Sequence, residues 1–162
     1  MCGSARRGIV RPTWDKTWMD VAAIIGQRSL CDLAKVGAVI VTRDNRVASA
    51  GYNGPAPGLR IRQDCHVWCP RGSSPGSGSA CMALHAEANA LMRADWTEIQ
   101  GGTIYSSAAT CENCAKLVAG SGIARLVHCV LNERDRARDP GKVEKYLALC
   151  NVRTERITQW DG

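Results

Sequence analysis

Nine cysteines in 162 residues constrain this chain more than any other feature. They are Cys2, Cys31, Cys65, Cys69, Cys81, Cys111, Cys114, Cys129 and Cys150. Thiols at that density imply either a small fold stapled by disulfides or a fold that uses thiolates for metal or redox chemistry. An odd count argues against a disulfide framework. So does the N-terminus, Met1-Cys2-Gly3-Ser4-Ala5-Arg6-Arg7-Gly8, where no apolar core of the kind that directs secretion follows the basic residues. The most apolar stretch, Val36 to Val41, is strand-sized, too short for a membrane span. The expectation is a cytoplasmic chain, 45 % hydrophobic, that closes one core. Residues 1–162 then form one domain, with 1–12 disordered and 64–81 a loop insertion.

Three cysteines have ordinary readings. Cys129 lies in the run Leu126-Val127-His128-Cys129-Val130-Leu131, and Cys150 ends the apolar face of a helix, so each reads as a small buried hydrophobe. Cys2 falls in the disordered start. His128, in the same apolar run, reads as a satisfied core histidine rather than a ligand.

The pattern of apolar residues sets the architecture. Trp14, Trp18, Val21, Ala22 and Ile25 recur at helical spacing and predict a helix from Thr13 to Arg28. Val36 to Thr42 and Val47 to Tyr52 read as strands joined by a turn at Arg43-Asp44-Asn45. After the Gly- and Pro-rich loop 51–58 and the Gly/Ser/Pro-rich stretch 70–79, a helix is predicted over Met82 to Ala94. Strand Thr103 to Ser106, a helix from Cys111 to Gly120 or Gly122, strand Arg125 to Val130, helix Lys142 to Leu149 and strand Val152 to Ile157 follow. Alternation of this kind implies an α/β fold, a three-layer α/β/α sandwich on a mixed five-stranded sheet. The charge run around Arg134, Asp135, Arg136, Arg138 and Asp139 reads as a solvated surface stretch.

Two short motifs carry the chemistry. His85-Ala86-Glu87 opens one predicted helix and Cys111-Glu112-Asn113-Cys114 opens the next. Helix N-termini direct unpaired amides and a positive dipole end into the same space, a field that favours thiolates. One histidine and two cysteines leave the fourth position of tetrahedral zinc open, the arrangement of a catalytic site. Glu87, two residues past the histidine, stands beside that position without ligating and can shuttle protons. The pair fits the H-x-E and P-C-x-x-C signature of zinc nucleobase deaminases, except that Thr110 stands where the signature has proline.

With Val36-Gly37-Ala38-Val39-Ile40-Val41, Gly51-Tyr52-Asn53-Gly54 and His85-Ala86-Glu87-Ala88-Asn89-Ala90-Leu91 in order, the chain resembles the deoxycytidylate (dCMP) deaminases of the cytidine deaminase superfamily, phage or bacterial type. Cys114-Ala115-Lys116 and Ser121-Gly122-Ile123 continue the similarity, which covers roughly Asp20 to Val130. The resemblance implies dCMP plus water giving dUMP plus ammonia, with Glu87 protonating N3 and later the leaving amine. It implies that Asn53 holds the deoxyribose, that the backbone around Ala86 and Ser107 meets the base edge, and that the chain is a homo-oligomer, often a hexamer. It also implies switching by dCTP and dTTP with Mg near the Gly-Tyr-Asn-Gly loop. Where the family has a substrate-contacting tyrosine, this chain has Asn132, which leaves a 5-substituted dCMP or another cytosine nucleotide as an alternative substrate. Arg28, Lys35 and Arg134 are phosphate candidates by charge alone.

Four cysteines remain. Cys31 stands where some phage-type relatives keep a structural zinc ligand, and Cys65, Cys69 and Cys81 flank the loop insertion. Four thiolates would close a second, structural zinc site and pin a loop with few apolar residues, and His66 could replace one of them. The net charge of +6 favours an anionic partner such as a nucleotide. A tRNA or single-stranded DNA deaminase is the enzymatic rival, disfavoured because no aromatic residues interleave with a basic run. Free-base deaminases, a zinc-stabilised binding module and a redox C-x-x-C protein are the other rivals; a binding module would require four protein ligands at each site.

Overall fold

The computed structural model describes residues 11–31, 33–57, 83–136 and 138–159. Helix α1 (Trp14–Gly26) begins where Thr13 Oγ1 accepts the Lys16 N–H, an N-cap that satisfies one otherwise unpaired amide. Strands β1 (Gly37–Val41) and β2 (Val47–Tyr52) form an antiparallel hairpin, with Asn45 at φ 68° in the connecting turn. Then come α2 (Ala86–Leu91), β3 (Thr103–Ser106), α3 (Glu112–Gly120) and β4 (Arg125–Cys129). The one-turn α4 (Glu133–Arg136), α5 (Pro140–Leu149) and β5 (Arg153–Ile157) complete the fold.

The sheet order is β2-β1-β3-β4-β5. β1 is antiparallel to β2 and β3, whereas β3, β4 and β5 are mutually parallel. The mixed five-stranded sheet of the α/β/α sandwich is therefore present. Successive strand residues point to opposite faces, so one face buries Ala38, Ile40, Ile104 and Leu126 against α2, α3 and α5. The other buries Val39, Val41, Tyr105, Val127 and Cys129 against Met19 and Ala22 of α1. Each fully buried aliphatic side chain of these layers contributes roughly 1.5–3 kcal/mol of transfer free energy. The two crossovers β3-α3-β4 and β4-α5-β5 step in the same direction along the sheet; their common handedness puts α3 and α5 on one face.

Two glycines set how closely the helices approach. A Cβ on Gly37 would collide with the Ala22 carbonyl of α1, and one on Gly51 with the backbone of Ala86 and Ala90 in α2. Because α2 sits on β2 at that range, its N-terminus comes over the start of β1 and the carboxyl end of β3. Ligand crevices of open sheets form at such carboxyl ends, beside the strand where direction switches.

Three expectations require correction. Helix α2 is shorter than Met82 to Ala94: Leu84 and Gly54 exchange backbone hydrogen bonds at 2.8 and 3.1 Å, and that extended bridge delays the helix to Ala86. Beyond Leu91 the bonds of Arg93 and Ala94 tighten to three-residue spacing and the helix ends. The charge run is not a uniformly solvated stretch, because it contains α4 and Asp135 is only 5 % exposed. Cys150 is exposed rather than buried; it caps α5 after Leu149, which is itself exposed, so the helix's apolar stripe has already ended. Cys129 and His128 are fully buried as expected.

Candidate active site

His85 and Cys111 occupy the N-cap positions of α2 and α3, both with extended backbones. Neither side chain caps its helix. Each turns toward the other instead: His85 Nδ1 lies 3.3 Å from Cys111 Sγ and 3.5 Å from Cys114 Sγ. The three donor atoms all fall within 4.8 Å of one another and are the metal-competent cluster among the described residues. Zinc bonds of about 2.3 Å to sulfur and about 2.0 Å to nitrogen place tetrahedral ligand atoms about 3.5 Å apart. The observed spacing and the soft donor set therefore fit zinc, with three protein ligands and one position left for a small molecule.

The electrostatics of the cluster follow from its crowding. The Cys111 thiol is held far below its ordinary range, first by the hydrogen bond from Cys114 and then by His85, against the opposing effect of burial. Cys114 is pushed up, because giving up its proton would set a second negative charge against Cys111 in a buried place. His85 is raised, chiefly through Cys111. Three soft donors that drive each other's protonation apart are brought to a common state by a cation among them.

Glu87, one residue into α2, is 2 % exposed and accepts a hydrogen bond from Ser106 Oγ at 3.2 Å. Ser106 itself is fully buried at the end of β3. The sheet floor thus holds the carboxylate two residues from His85, where it can take up and return a proton beside the cluster.

A groove of about 620 Å³ runs along Lys35, Val36, Ser107, Asn132, Asp135 and Arg138. Ser107 lines this groove, and it is tied to β1: its Oγ accepts the Gly37 N–H and its N–H donates to the Gly37 carbonyl. Asn53 is 8 % exposed and works behind the groove wall, accepting from Val36 N–H at 2.8 Å and donating to the Ala34 carbonyl at 2.9 Å. Ala86 is fully buried in the first turn of α2. Asn132 lines the groove, and its Oδ1 also accepts the Asp135 N–H as a cap for α4. Lys35 and Arg138 are the cations among the described lining residues; Arg28 does not line the groove, and the Arg134 side chain lies outside the described residues.

Ser106, Asp135 and Arg138 were not singled out by the sequence. Asp135 accepts from the Ala109 and Leu131 amides, and Arg138 donates to the Ala109 carbonyl, so together they tie α4 to the loop before Cys111. Of the cysteines assigned to a second zinc, Cys31 is a buried free thiol midway along the α1–β1 connection. Cys65, Cys69 and Cys81, with His66 and the whole of the 64–81 insertion, lie outside the described residues.

Comparison with known proteins adds an independent line. Residues 12–130 match the family described as the cytidine and deoxycytidylate deaminase zinc-binding region. The deoxycytidylate deaminase of Mycobacterium phage D29 is 42 % identical over 127 residues, covering 73 % of this chain and 95 % of the phage protein. The deoxycytidylate deaminase of Saccharomyces cerevisiae is 36 % identical over 124 residues, 74 % of this chain but only 38 % of that longer protein. In three dimensions the chain is similar to the dCMP deaminase of cyanophage S-TIM5 in complex with dCMP and dUMP. The TM-score is 0.69 and the identity 24 %, over 91 % of this chain and 99 % of that one, a likeness of fold. Among the described residues, no helix is long and apolar enough to cross a membrane.

Proposed function

Because the chain belongs to the cytidine and deoxycytidylate deaminase zinc-binding family, we propose that it hydrolyses the 4-amino group of dCMP, giving dUMP and ammonia. The observation that carries this reading is the meeting of His85, Cys111 and Cys114 at two helix N-termini, with the buried carboxylate of Glu87 beside them. His85, Cys111 and Cys114 would hold zinc. When bound, zinc would supply a Lewis acid that lowers the pKa of a water toward about 7. Glu87 would take one proton from the attacking water and deliver it to N3 as the C4–O bond forms; it would then move the remaining hydroxyl proton to the 4-amino nitrogen, which leaves as ammonia as the C4–N bond breaks and the C4 carbonyl forms. Ser106 keeps the carboxylate aimed through both transfers.

The nucleotide lies along the groove beside Ser107, with the base edge toward the backbone of Ala86 and Ser107. Asn53 supports the deoxyribose side of the groove by holding the wall at Val36 and Ala34, while Lys35 and Arg138 face the phosphate. Asn132 stands beside the base where relatives carry a ring. We propose further that the chain is one deaminase domain that works in the cytoplasm as a homo-oligomer, by resemblance a hexamer. Cys31, Cys65, Cys69 and Cys81 hold a second, structural zinc, and dCTP and dTTP with Mg act as effectors.

The test is ammonia release by purified, zinc-loaded protein with dCMP, 5-methyl-dCMP, dCTP, deoxycytidine and single-stranded DNA. Turnover confined to, or fastest with, dCMP is the expected result. Preference for 5-methyl-dCMP would move the substrate to a 5-substituted nucleotide, and preference for DNA would overturn the nucleotide assignment. Silence on all five by protein with zinc in place would overturn the enzymatic reading.

A further inference from the structure

The turn that delivers Cys111 is held from below by a side chain outside the zinc motifs. Thr110 is fully buried, and its backbone N–H donates to His128 Nδ1 at 3.3 Å. An amide can only donate, so Nδ1 is the unprotonated ring nitrogen and Nε2 carries the hydrogen. Nε2 lies 3.2 Å from Glu144 Oε1 of α5, and Glu144 is gripped in turn by Arg156 of β5 through bonds of 2.9 and 2.8 Å. The ring is fully buried and burial lowers its pKa, which agrees with a neutral imidazole. A chain of four residues thus runs from the edge strand to the peptide before the first cysteine.

Two observations tie this chain to the chemistry. His128 and Ser106 are paired in register across β3 and β4, on the face that carries α2 and α3. Ser106 holds Glu87, so two neighbouring positions of the sheet floor hold the proton carrier and the approach to a metal ligand. The second is the departure at Thr110. The signature places proline there, and proline has no N–H to satisfy. With threonine, a donor is buried that needs an acceptor, and His128 is that acceptor. The threonine brings no other visible advantage: its Oγ1 is buried without a hydrogen-bond partner among the described residues.

We propose that His128 is a positioning residue of the zinc site: through Thr110 N–H and the Glu144–Arg156 brace it sets the approach of Cys111, replacing the rigidity that proline supplies in the signature. The proposal rests on the zinc reading of His85, Cys111 and Cys114. Residues that orient metal ligands change metal retention by roughly 10–100-fold when removed. A merely structural histidine would change stability without regard to the residue at position 110.

The experiment follows zinc release to a chromophoric chelator from the purified holoprotein, with thermal stability and amide hydrogen exchange across residues 108–114 measured alongside. His128→Leu is expected to release zinc roughly 10–100-fold faster and to expose the Thr110 amide to exchange. His128→Asn, whose Oδ1 can still accept from Thr110, is expected to stay within a few-fold of the parent. Combined with Thr110→Pro, His128→Leu is expected to add no further acceleration, because the donor it leaves unpaired is gone. Parent-like zinc release by His128→Leu would overturn the proposal. So would an equal acceleration with and without Thr110→Pro. If His128→Leu does not fold, His128→Asn carries the test, and zinc loss there as large as that of Cys111→Ser would overturn it. A parent protein that binds no zinc would overturn the metal reading and this proposal with it, an outcome distinct from parent-like release by a zinc-loaded His128→Leu.

Discussion

On the α1 face of the sheet, Arg125 donates to both oxygens of Asp15 and both oxygens of Glu155, and the Tyr105 hydroxyl donates to Asp15 at 2.7 Å. On the opposite face, His85, Cys111 and Cys114 turn their donor atoms on one another, and Glu87 accepts from the neutral Ser106 hydroxyl. The first network is closed: each acid meets the guanidinium, and Tyr105 is pushed up by burial and by Asp15. The second pairs Cys111 with His85 but leaves Cys114 crowded by the negative charge of Cys111 and by Glu87. Polar atoms that satisfy one another fix a helix on a sheet. Buried polar atoms that face a common point call for a ligand there.

The largest effect that would sharpen this contrast comes from Glu87. Glu87→Gln keeps the shape of the side chain and leaves the three zinc donors alone, so zinc is expected to stay. Positioned acid–base groups contribute roughly 10²–10⁴-fold, and kcat on dCMP is expected to fall by that factor. Cys111→Ser should lose zinc as well as turnover. Metal analysis beside steady-state kinetics separates the two, and a Glu87→Gln enzyme with near-parental kcat would break the proposed mechanism.

Ser106→Ala comes next. It removes the Ser106 bond to the Glu87 carboxylate, a hydroxyl-to-carboxylate bond of the kind that contributes about 1.5–3 kcal/mol. About 1.4 kcal/mol is tenfold in rate, so kcat is expected to fall by roughly tenfold or somewhat more, with KM little changed. A change confined to KM would mean that Ser106 contacts substrate rather than aiming the base.

These residues differ in how legible they were. His85, Glu87, Cys111 and Cys114 could be read directly, because metal chemistry restricts both the residue types and their spacing. The alternation of strand and helix gave the five-stranded sheet for a similar reason: apolar periodicity is imposed locally by the face being buried. Ser106 could not be told from Ser107, since which of two adjacent serines faces α2 depends on strand register. Asp135 was hidden in a run of alternating charge; its burial is decided by the amides of Ala109 and Leu131, the first of them 26 residues away. The start of α2 was misplaced because the bridge between Leu84 and Gly54 is a contact across the fold. In these three cases what failed was long-range, whereas the misreading of Cys150 was local, the apolar stripe of α5 having ended before it.

The closed network gives a third prediction, in stability rather than rate. Arg125→Met leaves Asp15 and Glu155 without their shared cation. Both acids are more than a third exposed, so solvent screening limits the expected loss to about 1–2 kcal/mol, with kcat unchanged. The sign of the pH dependence follows from Asp15, whose carboxyl Arg125 holds below the usual range while burial opposes. A depressed folded-state pKa gives stability that is present above the unfolded value near 3.9 and is lost as pH falls through the lower folded value. Thermal melts of the parent should therefore drop more steeply below about pH 4 than those of Arg125→Met. Parallel curves would mean that the network does not bind α1 as described, and loss of turnover would mean that the two faces are not independent.

The smallest effect tests the border between the two kinds of region. Asn132 lines the groove, yet its side chain already accepts the Asp135 N–H as the cap of α4. As a cap on an exposed one-turn helix, its loss should cost about 0.5 kcal/mol, at the low end for such residues. Asp135 in turn holds the Ala109 and Leu131 amides, so a loosened α4 would also loosen one groove wall. Asn132→Ala is then expected to raise KM for dCMP no more than a few-fold and to lower stability slightly. Asn132→Asp, which keeps a capping oxygen, should restore stability. If Asn132 instead contacts the base, Asn132→Ala would raise KM by tenfold or more, and capping by aspartate would not restore it. The relation between the two variants thus decides whether this position belongs with the groups that satisfy each other or with those that wait for a ligand.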